Sequence, residues 1–337
     1  MATPAPLRLG FLMFPGFPMA CLTSAIEPLR AANEIIGHKA FEWLLVAENA
    51  APVRSSAEVR FEPDARLADC GDIDHLYLLS PPTGQFDDPR HGPARLRWLD
   101  RTGVVLGAFS GGIFPLARAG LMEGRGCSVH WCYEAAFKAE FPKVTPSEAV
   151  ILREGRRITA SGAGAVFDLM LRLIEERLGR QCMTEVACWF QHPFVRDEDA
   201  SQKVPVARTG YTADRLPASI REAIRLFEDH VEDPLRISDV AAAVDMSDRH
   251  FERLFKRETG QSPLRYYRQL RLSKARQRVL YSNDSLREIA ASVGYLTSAP
   301  MTRHYTELFG VSPKGERRLL SGPGESRRQA EVRPAAE

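Results

Sequence analysis

Arg249 and Arg253 stand four residues apart at the start of a stretch in which Phe251, Leu254 and Phe255 recur at i, i+3 and i+4. In a helix that spacing gathers the three apolar side chains on one face. It leaves Arg249, Glu252, Arg253, Lys256 and Arg257 on the other. A guanidinium near the start of such a helix can take guanine by bidentate contact. Basic residues further along, Lys256 and Arg257, are better placed for phosphates. The chemistry indicated is recognition of double-stranded DNA. A charged, solvated face on an ordinary helical bundle would look similar, so the surrounding elements have to decide.

Those elements are written twice. ISDVAAAVDMSDRHFERLFKRETGQSP and SLREIAASVGYLTSAPMTRHYTELFGVSP each read as a short helix, a turn, a second helix with an aromatic pair, then Gly and Ser-Pro. This is the layout of two helix-turn-helix units. In the first, Ser238 is expected to cap the leading helix through Val244, Asp245-Met246 to make the turn, and Ser247 to cap the second helix through its side-chain oxygen. In the second, Ile289 and Val293 supply the first helix's core, Gly294 the turn, and Tyr305, Leu308 and Phe309 the packing. Its outward residues near the helix start are Thr297, Ser298, Ala299, Thr302 and Arg303. A connecting helix over Leu264–Leu280 carries Arg265, Arg268, Arg271, Lys274, Arg276 and Arg278. Repetition with matched closures is hard to obtain by chance.

On these residues, 219–318 resemble the AraC-type transcription-factor domain, and ISDVAAAVDMSDRHFERLFKRETGQSPLRYYRQLRLSKARQ follows that family closely. The second unit departs from it at Pro300, Met301 and Thr306-Glu307, and in the ending Ser312-Pro313-Lys314-Gly315-Glu316-Arg317. Pro300 is compatible with a first helical turn, where its missing N–H is not needed. With fewer basic side chains in the second unit, the first is expected to carry more of the sequence reading.

The front of the chain has a different grammar. LRLGFLMF (7–14), FEWLLVAE (41–48), HLYLLS (75–80) and VVLGAFS (104–110) are nearly continuous apolar runs, suited to strands buried on both faces. Helical patterns fall between and after them at Ala20–Asn33, Ala94–Arg101, Ile113–Ala119, Cys132–Glu140, Val166–Leu178 and Thr184–Phe190. A strand pair is expected in Ala149–Ile158, turning at Glu154-Gly155. The alternation predicts an α/β doubly wound, mainly parallel, flavodoxin-like sheet over 1–195. Polarity rises over 196–216, read as a linker; 217–318 form an all-α domain, and 319–337 read as a disordered tail.

Charge follows this division. Residues 215–318 hold 19 Lys and Arg against 14 Asp and Glu, whereas 1–214 hold 23 against 26. The basic excess therefore lies on the repeat, in keeping with phosphate contact. No apolar run is long enough for a membrane span, and the chain opens directly into a strand pattern, so a cytoplasmic protein without membrane association is expected. The six cysteines form no C-x-x-C pair and read as buried, reduced thiols, not as disulfides or metal ligands. No cofactor is indicated.

LGAFSGGIFPLARAGLMEGRGCSVHW (106–131) resembles the ThiJ/PfpI, class I glutamine amidotransferase-like fold. LRLGFLMFPGFPMACLTSAIEPLRAAN and TASGAGAVFDLMLRLIEERLG resemble the GlxA-type regulators, which join that fold to an AraC domain; the opening looks most like regulators of carnitine and glycine betaine catabolism. The resemblance implies that Ser110 stands where enzyme members carry a nucleophilic Cys. It likewise implies that His130 and Glu27 match their acid–base partners. Such a trio needs a base within hydrogen-bond reach and a group to orient that base. Binding is the alternative use of the same turn. Ser110-Gly111-Gly112 opens a helix, whose amides and dipole favour a carboxylate. Phe14, Phe17, Phe109, Trp131 and Tyr133 gather at strand ends and loops, and aromatic faces attract quaternary ammonium groups. A betaine- or carnitine-like zwitterion would satisfy both. Phe14 and Phe109 end apolar strands, where a core role is the expected one; Trp131 beside His130 is the best single contact.

The sequence thus describes a ligand-responsive transcriptional regulator. It is expected to be an activator of a catabolic operon and a homodimer that binds promoter DNA and a small-molecule effector and works with RNA polymerase. An amidase- or hydratase-like enzyme fused to a DNA-binding module is the rival. A repressor or architectural protein with an empty pocket is a third possibility.

Overall fold

In a computed structural model of the protein, the described residues are 5–192, 196, 200–202 and 216–320, with the side chains of 319 and 320 excluded. The chain divides into two compact units, Met1–Gln202 and Lys203–Glu337. The boundary falls inside the stretch read as a linker, because Ala200–Gln202 still bond to the first unit. Positions 203–215 and the tail from 321 lie outside the described residues.

The first unit is built on a seven-stranded sheet. Its parallel strands are β1 (Leu7–Met13), β2 (Phe41–Ala47), β5 (Ala65–Arg66), β6 (His75–Ser80), β7 (Val105–Ser110) and β11 (Arg157–Ala160). Strand β10 (Ile151–Glu154) joins antiparallel at one edge, turning into β11 at Gly155, as the sequence suggested. The order is β10-β11-β7-β6-β1-β2-β5. The chain reverses its direction of travel across the sheet between β1 and β6, which is where such sheets open a crevice at their strand C-termini. The apolar runs are continuous because both faces are covered. Leu9, Phe11, Met13, Tyr77, Leu79 and Phe109 share a core with helices α1 (Met19–Ile36), α5 (Ala163–Leu178) and α6 (Arg180–Trp189). Leu12, Leu76, Leu78, Leu106 and Ala108, of opposite parity, are buried on the other side.

Short elements escaped the sequence reading: β3 (Val53–Arg54) pairs with β4 (Arg60–Phe61), and β8 (Gly126–Ser128) with β9 (Thr145–Ser147). Strands of two or three residues carry too few side chains for periodicity to show. Helices α2 (His91–Arg101), α3 (Ile113–Arg118) and α4 (Glu134–Glu140) complete the unit.

The second unit is all helical: α7 (Ala218–Asp229), α8 (Ile237–Ala243), α9 (Asp248–Thr259), α10 (Pro263–Tyr281), α11 (Leu286–Ser292), α12 (Ser298–Phe309) and α13 (Pro313–Leu320). Two cores lie side by side along α10. One gathers Phe227, Val240, Phe251, Phe255, Tyr266 and Tyr267; the other gathers Leu272, Val279, Ile289, Val293, Met301 and Tyr305. Each second helix ends on a left-handed glycine, Gly260 or Gly310, which a side chain there would disfavour.

Candidate ligand crevice and DNA-reading surface

Helix pairs α8–α9 and α11–α12 share one turn. Asp245 (φ 55°) and Gly294 (φ 72°) both adopt the left-handed conformation. In one copy Asp245 N–H and Met246 N–H donate to Ala242 O and Ala241 O. In the other, Gly294 and Tyr295 donate to Ala291 O and Ala290 O. The second turn is one residue longer, and Leu296 in it is fully exposed. The outward face of α9 is as the spacing predicts: Arg249, Glu252, Arg253, Lys256 and Arg257 are exposed while Phe251 and Phe255 have no accessible surface. His250, passed over in the sequence reading, belongs to this face, with Arg253 Nη2 3.5 Å from its Nδ1. Arg257 is paired with the neighbouring Glu258 at 2.6 Å, which leaves Lys256 the freer cation for a phosphate. On α12, Ala299 and Arg303 are exposed, Ser298 and Thr302 half-buried, and Thr297 is the exposed N-cap.

Four details differ from expectation. Ser238 lies inside α8, whose N-cap is Arg236. Ser247 is the N-cap of α9, but its side chain makes no capping bond. Leu308 is 38 % exposed, and Met301, fully buried, takes its place in the core. Met301 and Tyr305 stand four and eight residues past the N-cap Thr297, as Phe251 and Phe255 do past Ser247, so α12 buries the same face as α9 despite the longer turn. Arg271, Arg276 and Arg278, counted among the basic residues of α10, are occupied internally. Arg271 donates to Val293 O and Gly294 O, both at 2.7 Å, and lies over the Tyr295 ring. Arg276 binds Glu316, and Arg278 binds Asp284. Arg265 and Arg268 stay exposed.

In the first unit, Ser110 ends β7 opposite Ser80 of β6. Its φ of 53° is a conformation uncommon outside glycine, the strained strand-to-helix turn on which nucleophiles are displayed. Gly111 and Gly112 are dictated by backbone packing. A Cβ on Gly111 would lie 2.4 Å from Ser80 O, and one on Gly112 1.9 Å from Leu78 O. The Gly112 N–H donates to Phe109 O at 3.0 Å, so it closes the turn and does not serve an anion, contrary to expectation.

His130 sits across from the end of β11; a Cβ on Gly162 would lie 3.3 Å from its Cδ2. Its Nδ1 is 3.3 Å from Cys132 N and 2.9 Å from Cys132 Sγ. The backbone N–H can only donate, so Nδ1 is the acceptor and Nε2 carries the proton of the neutral ring. Burial lowers the His130 pKa and pushes the Cys132 thiol up to about 12. The pair is therefore thiol and neutral imidazole, the opposite of an activated thiolate. With Nε2 protonated, His130 is a hydrogen-bond donor and is not set up to accept a serine proton. Among the described residues, no hydrogen bond joins Ser110, His130 and Glu27. Glu27 is instead half-exposed on α1 and paired with Arg30 at 3.0 Å.

The aromatic set also divides. Phe17 has no accessible surface and meets Phe61 edge-on, so it is core and not ligand lining. Phe109 stacks on Tyr77 in the same core. Phe14, 4 % exposed, packs on Phe86 beside the crevice. Trp131 and Tyr133 remain half-buried, with ring centroids 5.5 and 5.4 Å from that of His130. A separate surface hollow of about 310 Å³, lined by Arg8, Asn33, Lys39, Phe41, Glu42, Trp43 and Leu44, lies at the N-terminal ends of β1 and β2. That is the end of the sheet away from Ser110, where doubly wound folds do not place ligands.

Residues 240–318 match the model of a helix-turn-helix domain family. Over 312 residues the chain is 33% identical to the HTH-type transcriptional regulator GbdR of Pseudomonas aeruginosa PAO1, covering 93% of this chain and 84% of that one. It belongs to the GlxA-type AraC-family transcriptional regulators. The HTH-type transcriptional regulator GlxA of Rhizobium meliloti strain 1021 is 32% identical over 315 residues, covering 92% of this chain and 95% of that protein. A crystal structure of an AraC family transcriptional regulator from Pseudomonas putida superimposes with a TM-score of 0.50 at 23% identity, covering 55% of this chain and all of that one; this likeness concerns fold alone. The regulator is thus a DNA-binding protein with a mainly parallel α/β unit ahead of its tandem helix-turn-helix. Among the described residues no helix is long and apolar enough to cross a membrane.

Proposed function

We propose that this regulator is a cytoplasmic homodimer that activates a catabolic operon through RNA polymerase when its first domain binds a small zwitterion of the betaine or carnitine class. The supporting observation is the state of His130, whose neutral ring carries an Nε2–H donor and has the rings of half-buried Trp131 and Tyr133 at 5.5 and 5.4 Å. A donor suits a carboxylate, and aromatic faces suit a quaternary ammonium. The candidate contacts are His130, Trp131 and Tyr133, with Phe14 and Ser110 at neighbouring strand ends. Calorimetry with glycine betaine, carnitine and amino acids tests this: heat for one compound that Trp131→Ala abolishes is expected, and silence for all of them would reject the ligand reading.

For DNA, α9 is proposed as the main reader, with Arg249 and Arg253 on base edges and Lys256 on phosphate. Arg253→Ala is expected to cost about 1–3 kcal/mol of specific binding while sparing nonspecific binding. Equal loss on all sequences would reassign Arg253 to the phosphates.

The positive φ of Ser110 favours a second reading, an amidase- or hydratase-like activity in the first unit. The tautomer of His130 and the ion pair at Glu27 weigh against it. Turnover of an amide that is lost in Ser110→Ala, with promoter binding intact, would establish the enzyme.

A further inference from the structure

The last described residues of the first unit are fastened to the loop that carries His130. Ser201 forms an antiparallel bridge with Ala149. Val150 N–H donates to Ala200 O and Gln202 N–H to Glu148 O, both at 2.8 Å. The Gln202 side chain then grips both flanks of His130. Its Oε1 accepts from Trp131 N–H at 2.9 Å, and its Nε2 donates to Val129 O at 2.8 Å. From below, Ser128 Oγ donates to Ala149 O at 2.6 Å. Residues 128–131, 148–150 and 200–202 therefore form one hydrogen-bonded patch.

A second anchor lies upstream. Asp168 of α5 has no accessible surface, and its two oxygens meet His192 Nε2 at 2.7 Å and Arg196 Nε at 2.6 Å. Arg172 holds the Arg196 carbonyl at 2.5 Å. The two anchors differ in kind: the upstream one includes a charge-assisted bond to a buried carboxylate, whereas the downstream one is made by neutral amides, which are weaker. Bond for bond, the Gln202 clamp is the weaker of the two.

We infer that Gln202 is the coupling residue between the ligand crevice and the linker. A molecule seated against His130 and Trp131 must adjust the backbone on either side of His130, and that backbone holds Gln202. Opening the clamp, and with it the backbone bonds of Ala200 and Gln202 to residues 148–150, moves the last described anchor from Gln202 back to Arg196. A longer tether changes the reach and effective concentration of the DNA-binding unit. The ligand drives this by binding the released arrangement better. The inference rests on the ligand reading given above, and it makes Gln202 a positioning residue that touches neither DNA nor effector.

The test uses the full-length chain with Gln202→Ala and Gln202→Glu, the latter keeping an acceptor for Trp131 N–H while setting an oxygen against Val129 O. Promoter output is read with and without glycine betaine and carnitine, alongside calorimetry and hydrogen exchange at 129–131 and 200–202. Gln202→Ala should bring effector-free output to within about twofold of stimulated wild type, with effector affinity held within about threefold. The Trp131 amide should exchange about tenfold faster. Gln202→Glu should fall between the two. Wild-type effector dependence in a Gln202→Ala protein that binds effector normally would overturn the inference. Should neither compound bind wild type, the ligand reading fails separately. The effector-free output and exchange of the variants then still decide: raised values support the clamp and unchanged ones overturn it.

Discussion

The two helix-turn-helix units share a backbone plan and differ in almost everything attached to it. The first closes on an aromatic cluster: Phe227 stacks on Tyr267 at 4.3 Å, and Phe251 and Tyr266 meet Phe255 edge-on. The second closes on a polar network, in which Glu316, 8 % exposed, accepts from Tyr305 Oη and pairs with Arg276. Outside, α9 displays Arg249, Arg253 and Lys256, whereas the matching surface of α12 has one basic residue, Arg303, and the acidic Glu307. The two copies also begin differently. Helix α11 opens on a complete capping box between Ser285 and Glu288, and α8 opens on Arg236 with no side-chain cap. Duplication of a scaffold fixes backbone geometry while leaving core chemistry and surface charge free to diverge.

The contrast can be broken most strongly at Glu316. Glu316→Ala strands the buried Tyr305 hydroxyl, while the Arg276 guanidinium, 42 % exposed, turns to water; the change should destabilise the second copy by about 2 kcal/mol. All four tryptophans lie in the first unit. Circular dichroism should therefore report the lowered midpoint in urea while tryptophan fluorescence does not move. A loss seen equally by both probes would mean that the units do not unfold separately.

The shared turn comes next. A Cβ at Gly294 would meet Pro234 Cγ at 2.6 Å and Glu232 O at 3.0 Å, on top of the positive φ. Gly294→Ala should cost about 2 kcal/mol in the same melt. Asp245→Gly, at the matching position of the first copy, should change stability by less than about 0.5 kcal/mol. Equal costs would show that the two turns are not equivalent.

Caps separate the copies less. Ser285→Ala should lose about 1 kcal/mol, and Ser247→Ala, whose hydroxyl caps nothing, close to none. Bonding to the Ser285 backbone N–H lowers the Glu288 pKa. A carboxyl lowered on folding stabilises above its unfolded range, near pH 4.3, and that part of the cap should fade as pH falls below it. A melt of Glu288→Gln that tracks wild type at pH 7 would remove this contribution. The smallest effect concerns phosphates. Lys256→Ala should flatten the slope of log affinity against log salt by about 0.9, and Arg257→Ala by less, because Glu258 already holds that guanidinium.

Much of this was legible in the residues. Continuous apolar runs gave the central strands because parallel sheets are covered on both faces. The i, i+3, i+4 spacing of Phe251, Leu254 and Phe255 gave the orientation of α9, and the repeated Gly and Ser-Pro closures gave the tandem architecture. Local patterns of this kind depend on neighbours within one or two turns. The same spacing misleads one copy later: Tyr305, Leu308 and Phe309 also stand at i, i+3 and i+4, but the fully buried pair is Met301 and Tyr305, the counterparts of Phe251 and Phe255. Phe17 and Glu27 were misread for a related reason: a residue's type says what it can do, and only its packing says whether a ligand could reach it.

The sequence by itself determined the two-part organisation, the doubly wound sheet and the identity of the helix that carries the exposed arginines, since each follows from periodicity and charge along the chain. Tertiary structure alone decided that Arg271 and Arg276 brace the interior, that His130 is a neutral donor held by Cys132, and that Gln202 grips the loop around it. These depend on hydrogen bonds between residues up to 73 positions apart, whose partners no local pattern names.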